Sequence, residues 1–183
     1  MPEQQKYSAI LADCPWRYDR NRGTGVAENH YPTMSLDEIC ALPVADIAAE
    51  DSALFLWATF PMLPEALRVI DAWKFRFVTC AFVWLKQNRK SPGFFYGMGF
   101  WTRSNAEICL FARRGHPKRQ SKKVHQLIIS PVEQHSKKPD ITRDKIVELM
   151  GDVPRVEIFA RQKTEGWHVW GNEVESDIIL KGR

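Results

Sequence analysis

The chain has 183 residues, of which 44% are apolar and 26% are charged, and its formal net charge is +4. This length and composition are typical of one soluble globular domain with a full hydrophobic core. No apolar run approaches the roughly 18 residues that a membrane span needs. The first residues lack the apolar segment of a secretory signal, so the cytoplasm is the expected compartment.

Strand-like runs alternate with helical patterns along the chain, which predicts an α/β fold with a mostly parallel sheet and helices on both faces. The second half of one run, Arg76–Leu85, is almost wholly apolar, as is typical of a central strand covered on both faces. The predicted strands are Tyr7–Ala12, Ala53–Ala58, Arg76–Leu85, Ala106–Ala112, Val124–Ile129 and Val156–Ala160.

Three helices are predicted between these strands. A capping box at Ser35–Glu38 starts a helix that ends near Leu42, and longer helices are expected at Leu63–Trp73 and Pro139–Met150. Residues 17–33 and 87–103 are expected to be loops. We expect a single domain over residues 1–173 and a loose C-terminal tail over residues 174–183.

The four cysteines are scattered and never form a C-x-x-C pair. We therefore expect neither a metal site nor a disulfide framework. No G-x-G-x-x-G run occurs either, which removes the main support for a dinucleotide-dependent oxidoreductase or a P-loop enzyme.

The most informative motif is Asp13-Cys14-Pro15-Trp16, which follows the first predicted strand. Ligands bind at the carboxyl edge of open α/β sheets, where this motif would lie. An acid, a proline and an aromatic residue at this edge suit attack by the exocyclic amine of a heterocyclic base. Such an amine is a poor nucleophile because its lone pair is delocalised into the heterocyclic ring. The carboxylate of Asp13 and the carbonyl of Cys14 can each accept one amino hydrogen and leave that lone pair facing an electrophile. Pro15 would restrict the carbonyl, and Trp16 would stack on the base.

A second feature is a basic run over residues 113–123, with six basic residues and no acidic one. A concentrated basic patch is typical of phosphate contact, although a solvated loop is the alternative. The candidate nucleic-acid contacts are Arg113, Arg114, Lys118, Arg119, Lys122 and Lys123.

The motif resembles the Asp-Pro-Pro-Trp signature of S-adenosylmethionine-dependent adenine-N6 methyltransferases. The similarity is to the lineage of the eukaryotic mRNA methyltransferase and its small bacterial and phage relatives. Cys14 stands where the family has its first proline. Further matching segments follow in the family's order: His30–Met34, Leu54–Trp57, Phe82–Lys86, Gly99–Trp101, Glu107–Leu110, His135–Asp140, Val156–Arg161 and Trp170–Glu173.

This resemblance implies a Rossmann-like methyltransferase fold in permuted order, with the catalytic motif N-terminal and the cofactor strand C-terminal. It also implies that Asp13 holds the adenine amino group and lies near the cofactor. Lys138 would contact the methionine carboxylate of S-adenosylmethionine, and Arg161 would lie near its ribose. Asn172 and Glu173 would lie near the ribose and adenine of the cofactor.

The base pocket is expected to include Tyr31 and Glu107, which match family positions. A packed loop aromatic and a plain ion-pair partner are their respective alternatives. Trp57, Trp84 and Trp101 are candidates for sandwiching the base. Trp57 is kept in the pocket set, and Trp101 is favoured because it lies in a Gly-rich loop with less core to fill.

The resulting hypothesis is methyl transfer from S-adenosylmethionine to the N6 amino group of adenine in DNA, without a metal. Methylation of RNA and an inactive nucleic-acid-binding partner subunit are the alternatives. Cytosine N4 and a glutamine amide are less favoured acceptors, because those relatives typically replace the aspartate and the tryptophan. A homodimer or a partner subunit is left open, and no membrane contact is expected.

Overall fold

A computed structural model of the chain describes residues 5–17, 33–99, 101–134 and 136–180. Its strands are β1 Tyr7–Asp13, β2 Ala48–Ala58, β3 Arg76–Gln87, β4 Ala106–Arg114, β5 Leu127–Pro131, β6 Arg155–Ile158 and β7 His168–Trp170. They form one sheet in the order β5-β3-β4-β2-β1-β6-β7. Only β4 among them runs antiparallel to its neighbours, so the predicted mostly parallel sheet is confirmed.

Four α-helices flank the sheet in the described residues: α1 Leu36–Cys40, α2 Val44–Ile47, α3 Leu63–Ala72 and α4 Ile141–Met150. The predicted capping box starts α1, with the Glu38 carboxylate accepting a hydrogen bond from the Ser35 amide at 2.7 Å. Within the described part of the chain, no helix is both long enough and apolar enough to cross a membrane.

Both faces of the sheet are buried. Successive side chains of its central strands point to opposite faces, and apolar clusters cover each face. Ile10 and Leu56 pack with α1 and α3 on one face. Leu11 and Phe55 pack with α4 on the other face. Helices therefore cover both faces, as predicted.

The structure corrects several predicted boundaries. β3 is not central, because the strand next to it, β5, lies at the edge of the sheet. Phe77 and Val78 are exposed, since β5 pairs only with the second half of β3. β5 begins at Leu127 instead of Val124, and the short elements α2 and β7 were not predicted.

The segment after β7 also differs from the predicted loose tail. Leu180 is only 6% exposed and belongs to the main hydrophobic cluster. The Asp177 carboxylate accepts a hydrogen bond from the Val169 amide at 3.0 Å and pairs with Lys163 at 2.8 Å. An apolar anchor and two polar contacts therefore hold residues 174–180 against the sheet.

The strand order creates a crevice beside β1. The chain continues from β1 to β2 on one side and from β6 to β7 on the other, and β1 and β6 lie side by side. This arrangement is a topological switch point, where the connections leave in opposite directions and the carboxyl ends of the strands are left open. Asp13 ends β1 at this position.

The anchoring of the C-terminal segment gives a first prediction. Leu180→Ala should lower the free energy of unfolding by about 2–4 kcal/mol, because it removes a buried leucine side chain. Ile179→Ala is the matched control, since Ile179 is 70% exposed and should change stability by less than about 0.5 kcal/mol. Urea denaturation of both variants measures the difference, and equal midpoints would show that the segment is not anchored.

Candidate active site

A cleft opens where β1 and β6 end side by side. It consists of two adjoining halves that share Asp13, Trp57 and Lys138 in their walls. Ten predicted site residues from separate parts of the sequence line it: Asp13, Cys14, Pro15, Trp16, Trp57, Glu107, Lys138, Arg161, Asn172 and Glu173. The fold therefore brings the catalytic motif and the predicted cofactor residues into one site.

The centre of the cleft is a network of ion pairs. Nζ of Lys138 lies 2.9 Å from Oδ2 of Asp13 and 3.3 Å from Oε2 of Glu107. The other oxygen of Glu107 accepts a hydrogen bond from Nζ of Lys86. Lys138 also lies 6.0 Å from the ring centre of Trp57. Two carboxylates and two ammonium groups thus alternate along one chain of contacts.

Burial and the neighbouring opposite charges shift the pKa values of these groups in opposite directions. Burial raises the pKa of Asp13, and the attraction of Lys138 opposes this rise without cancelling it. For Glu107, burial also favours the neutral form, but Lys138 and Lys86 together hold its pKa below the usual value. Burial would lower the pKa of Lys138, yet the two carboxylates raise it, so the lysine stays charged.

Two backbone features shape the wall opposite β2. Phe159 follows β6 with φ +64°, a left-handed conformation that is uncommon outside glycine and ends the strand at the cleft. Its ring packs edge-on against Trp170 with ring centres 5.4 Å apart. A side chain at Gly171 would collide with the Ala160 carbonyl. Glycine therefore allows the backbone just before Asn172 and Glu173 to pass close to Ala160. The carboxylate of Glu173 accepts hydrogen bonds from Nε of Arg161 at 3.0 and 3.2 Å.

The motif residues after Asp13 are largely buried. Burial, with a smaller contribution from Asp13, raises the pKa of the Cys14 thiol well above its usual value, so the thiol is neutral. The Cys14 carbonyl accepts a hydrogen bond from the Trp16 amide at 2.9 Å, which orients it and leaves its second lone pair available. Trp16 packs in the hydrophobic core and also lines the cleft.

The structure separates the aromatic candidates for the base pocket. Trp57 lines both halves of the cleft although it is only 1% exposed, and its indole N–H has no hydrogen-bond partner among the described residues. Trp101 is 99% exposed and is not among the residues that line the cleft, so the structure does not bring it together with the other candidates. Trp84 is buried and donates to the Ser130 carbonyl at 3.1 Å. Tyr31 lies outside the described residues.

The basic run does not reach the cleft. Because β4 is antiparallel, Arg113 and Arg114 lie beside Ala53 and Ser52, at the opposite end of β2 from Trp57. At about 3.3 Å per residue, four or five residues correspond to roughly 13–17 Å. The amide of Gln120 then donates to the carbonyl of Leu149 at the C-terminal end of α4, whereas the cleft is lined by Thr142 and Arg143 near the start of that helix. None of the six basic side chains of the run lines either half of the cleft.

Sequence reasoning missed two contributions to the site. Lys86 carries the network one step beyond Glu107, and the signal for it was a charged residue at the end of an apolar strand. Arg143 and Glu157 form a bidentate pair at 2.7 and 2.9 Å in the wall of the second half of the cleft, and this pair ties α4 to β6. Their separation of 14 positions carries no local pattern.

Comparison with known proteins identifies the family. The family model MT-A70 matches residues 7–173. The chain belongs to the MT-A70 family. The fold is accordingly the permuted methyltransferase fold that the resemblance implies, with the Asp13 strand first and β6 near the end.

Individual MT-A70 relatives cover this chain almost completely. A type II methyltransferase of a Mycoplasma species, M.MunI, is 31% identical over 96% of this chain and 81% of its own length. An Arabidopsis thaliana N(6)-adenosine-methyltransferase MT-A70-like protein is 26% identical over 95% of this chain. The catalytic subunit of the human N(6)-adenosine-methyltransferase is 25% identical over 96% of it. This chain matches only 24% and 29% of the lengths of these two eukaryotic proteins.

The ion-pair network gives a prediction for Lys86. Lys86→Met should raise the pKa of Glu107, because the carboxylate loses one of the two cations that stabilise its ionised form. Lys90→Met is the control, since Lys90 lies four residues away on an exposed loop. A carboxyl carbon NMR titration would measure the shift. A Glu107 pKa that is the same in both variants would contradict the arrangement.

Proposed function

We propose that this protein transfers a methyl group from S-adenosylmethionine to the N6 amino group of adenine in DNA. One observation carries the proposal: the Asp13 carboxylate and the Cys14 carbonyl line one cleft at the switch point of the sheet. Membership of the MT-A70 family supports the reaction class.

The charges of the cleft suit S-adenosylmethionine. Its methionine part is a zwitterion, and the cleft offers Asp13 for an ammonium group and Lys138 for a carboxylate. Glu173 supplies carboxylate oxygens for ribose hydroxyls, and Phe159 supplies an apolar surface. When bound, S-adenosylmethionine supplies a methyl group that is already activated on a sulfonium centre.

Asp13 has two tasks in the proposed reaction. Its carboxylate accepts one hydrogen of the adenine amine, which aligns the nitrogen lone pair, while the Cys14 carbonyl accepts the other. Methylation leaves the nitrogen with one proton too many, and that proton needs an acceptor. The raised pKa of Asp13 makes it a better acceptor than an exposed aspartate, through the oxygen that Lys138 does not bind.

Lys138 and Glu107 act through Asp13. The ammonium group fixes one oxygen of the Asp13 carboxylate, and Glu107 holds that ammonium group from the other side. A carboxylate fixed in this way orients the amine without reorganising during the reaction, and such orientation is a large source of rate acceleration.

DNA is favoured over RNA by the length comparison. This chain matches 81% of the Mycoplasma type II methyltransferase, a class that modifies DNA, but about a quarter of the eukaryotic N(6)-adenosine methyltransferases. Methylation of RNA is the second candidate, because those eukaryotic relatives are also similar over nearly all of this chain. Transfer of labelled methyl groups to matched DNA and RNA oligonucleotides distinguishes the two.

The proposed role of Asp13 gives a mutational prediction. Asp13→Ala should lower the rate of methyl transfer by about 10²-fold or more, because a positioned acceptor at the reacting centre is removed. Cys14→Ser should be nearly neutral, since residue 14 acts through its carbonyl, and Cys14→Pro should keep or raise the activity. Single-turnover assays at saturating cofactor measure these rates. Loss of turnover in a folded Cys14→Ser protein would contradict the mechanism.

Cofactor binding can be tested separately from turnover. Calorimetric titration should show S-adenosylmethionine binding in the presence of a metal chelator, and Lys138→Met should weaken it by roughly 10-fold or more, because a charged partner of the carboxylate is removed. Lys118→Met is the control, since Lys118 lies in the basic run that does not line the cleft. Equal affinities of the two variants would exclude Lys138 from the cofactor site.

A further inference from the structure

The connection between β3 and β4, residues 88–105, leaves the sheet beside the cleft. Lys86 comes just before it and Glu107 just after it, and both belong to the ion-pair network around Lys138. The amide of Lys86 also donates to the carbonyl of Asn105 at 2.9 Å, which closes the base of the loop. We call the described residues 88–99 and 101–104 of this connection the edge loop.

Backbone hydrogen bonds give the edge loop a defined shape. Phe95 donates to the Lys86 carbonyl at 2.9 Å, and Gly97 donates to the Ser104 carbonyl at 2.7 Å. Arg103 then donates to the Gly97 carbonyl at 2.9 Å through Nε. Gly99 has φ +64°, and a side chain there would overlap the Thr102 carbonyl. The close approach of the backbone at Gly99 to Thr102 therefore depends on glycine.

The exposed side chains of the edge loop are unusual for a protein surface. Trp101 is 99% exposed and Met98 is 85% exposed, and Phe94, Phe95 and Tyr96 are exposed as well. Arg89, Lys90 and Arg103 give the loop three positive charges, and it contains no acidic residue. A cluster of exposed aromatic rings among cations fits a polyanion with stackable bases.

We propose that the edge loop binds nucleic acid next to the target adenine, and that Trp101 stacks on the base left without its neighbour when the adenine leaves the helix. This inference rests on the proposed function. An adenine must leave the base stack to reach a cleft of this kind, which exposes the faces of the adjacent bases. An aromatic ring that stacks on such an exposed face restores part of the missing stacking.

The charge of the loop favours nucleic acid over a second copy of this chain. Two copies that met through their edge loops would bring three positive charges against three. Phosphates would be attracted by the same groups. The edge loop thus takes the role that the sequence assigns to the basic run, and it has the better position because it begins and ends at the cleft.

The test of Trp101 uses a duplex that the wild-type protein methylates. Trp101→Ala should raise the KM for this duplex by roughly 10-fold, and Trp101→Phe should restore most of the loss, because a smaller ring still stacks. The defect should shrink when the target adenine faces an abasic site, where it leaves the helix more easily. Ile179→Ala, which removes another exposed apolar side chain, is the control.

A salt titration tests the cations of the loop. The double variant Arg89→Gln/Lys90→Gln should make DNA affinity less dependent on salt. The slope of log affinity against log salt concentration should become less negative by up to about 0.9 for each phosphate contact that is lost. Lys122→Gln with Lys123→Gln removes two charges from the basic run and should leave the slope unchanged. Fluorescence anisotropy with the same duplex measures both variants.

Several outcomes would overturn the inference. An unchanged KM in Trp101→Ala would exclude stacking, and a larger slope change in the Lys122/Lys123 variant would assign DNA contact to the basic run. A wild-type dimer that Trp101→Ala dissociates in sedimentation would assign the loop to self-association. If the wild-type protein methylates neither DNA nor RNA, the proposed function fails, whereas the anisotropy measurement still tests the edge loop.

Discussion

The ammonium group of Lys138 lies between two carboxylates from different strands, Asp13 at the end of β1 and Glu107 near the start of β4. These contacts join the segment before α4 to the sheet at its open edge. Removing one charge from a buried ion pair leaves its partner uncompensated, and that costs more free energy than the pair itself contributes. The rest of the site is organised around this constraint.

The network also explains how a cleft with this many charges is compatible with folding. Asp13, Lys138, Glu107 and Lys86 alternate in sign, so their formal charges cancel. The neighbouring pair of Arg161 and Glu173 is balanced in the same way. When a zwitterionic ligand binds, ion pairs within the protein are replaced by ion pairs to the ligand, and no net charge is left buried. An anion or a cation alone would not have this advantage.

Local pattern was enough to predict the elements that support the catalytic motif. The apolar run before Asp13 and the capping box at Ser35 are short-range signals, and both elements formed where they were expected. The chemistry of the motif singled out Asp13 to Trp16, Trp57 was a candidate as an aromatic residue, and the family resemblance supplied the other five cleft residues. The fold brings all ten to one place. That meeting depends on strand order, which no single segment encodes.

Strand direction and strand pairing decide two features that the local sequence pattern does not show. The antiparallel direction of β4 puts Glu107 at the cleft and carries Arg113 to the far end of the sheet, although only six positions separate them. A basic run shows that phosphate contact is chemically feasible but not which edge of the sheet it faces. Likewise, the apolar half of β3 has the composition of a central strand, whereas only the pairing pattern shows that its first half is uncovered.

The buried thiol of Cys14 has a consequence for side reactions. A thiolate is a far stronger nucleophile than an adenine amine, and one placed beside an electrophilic methyl donor would itself be alkylated. Burial holds the Cys14 thiol in its neutral form, and its sulfur packs into the hydrophobic cluster. A cysteine in place of the family proline therefore adds neither a competing methyl acceptor nor an exposed thiol at this position.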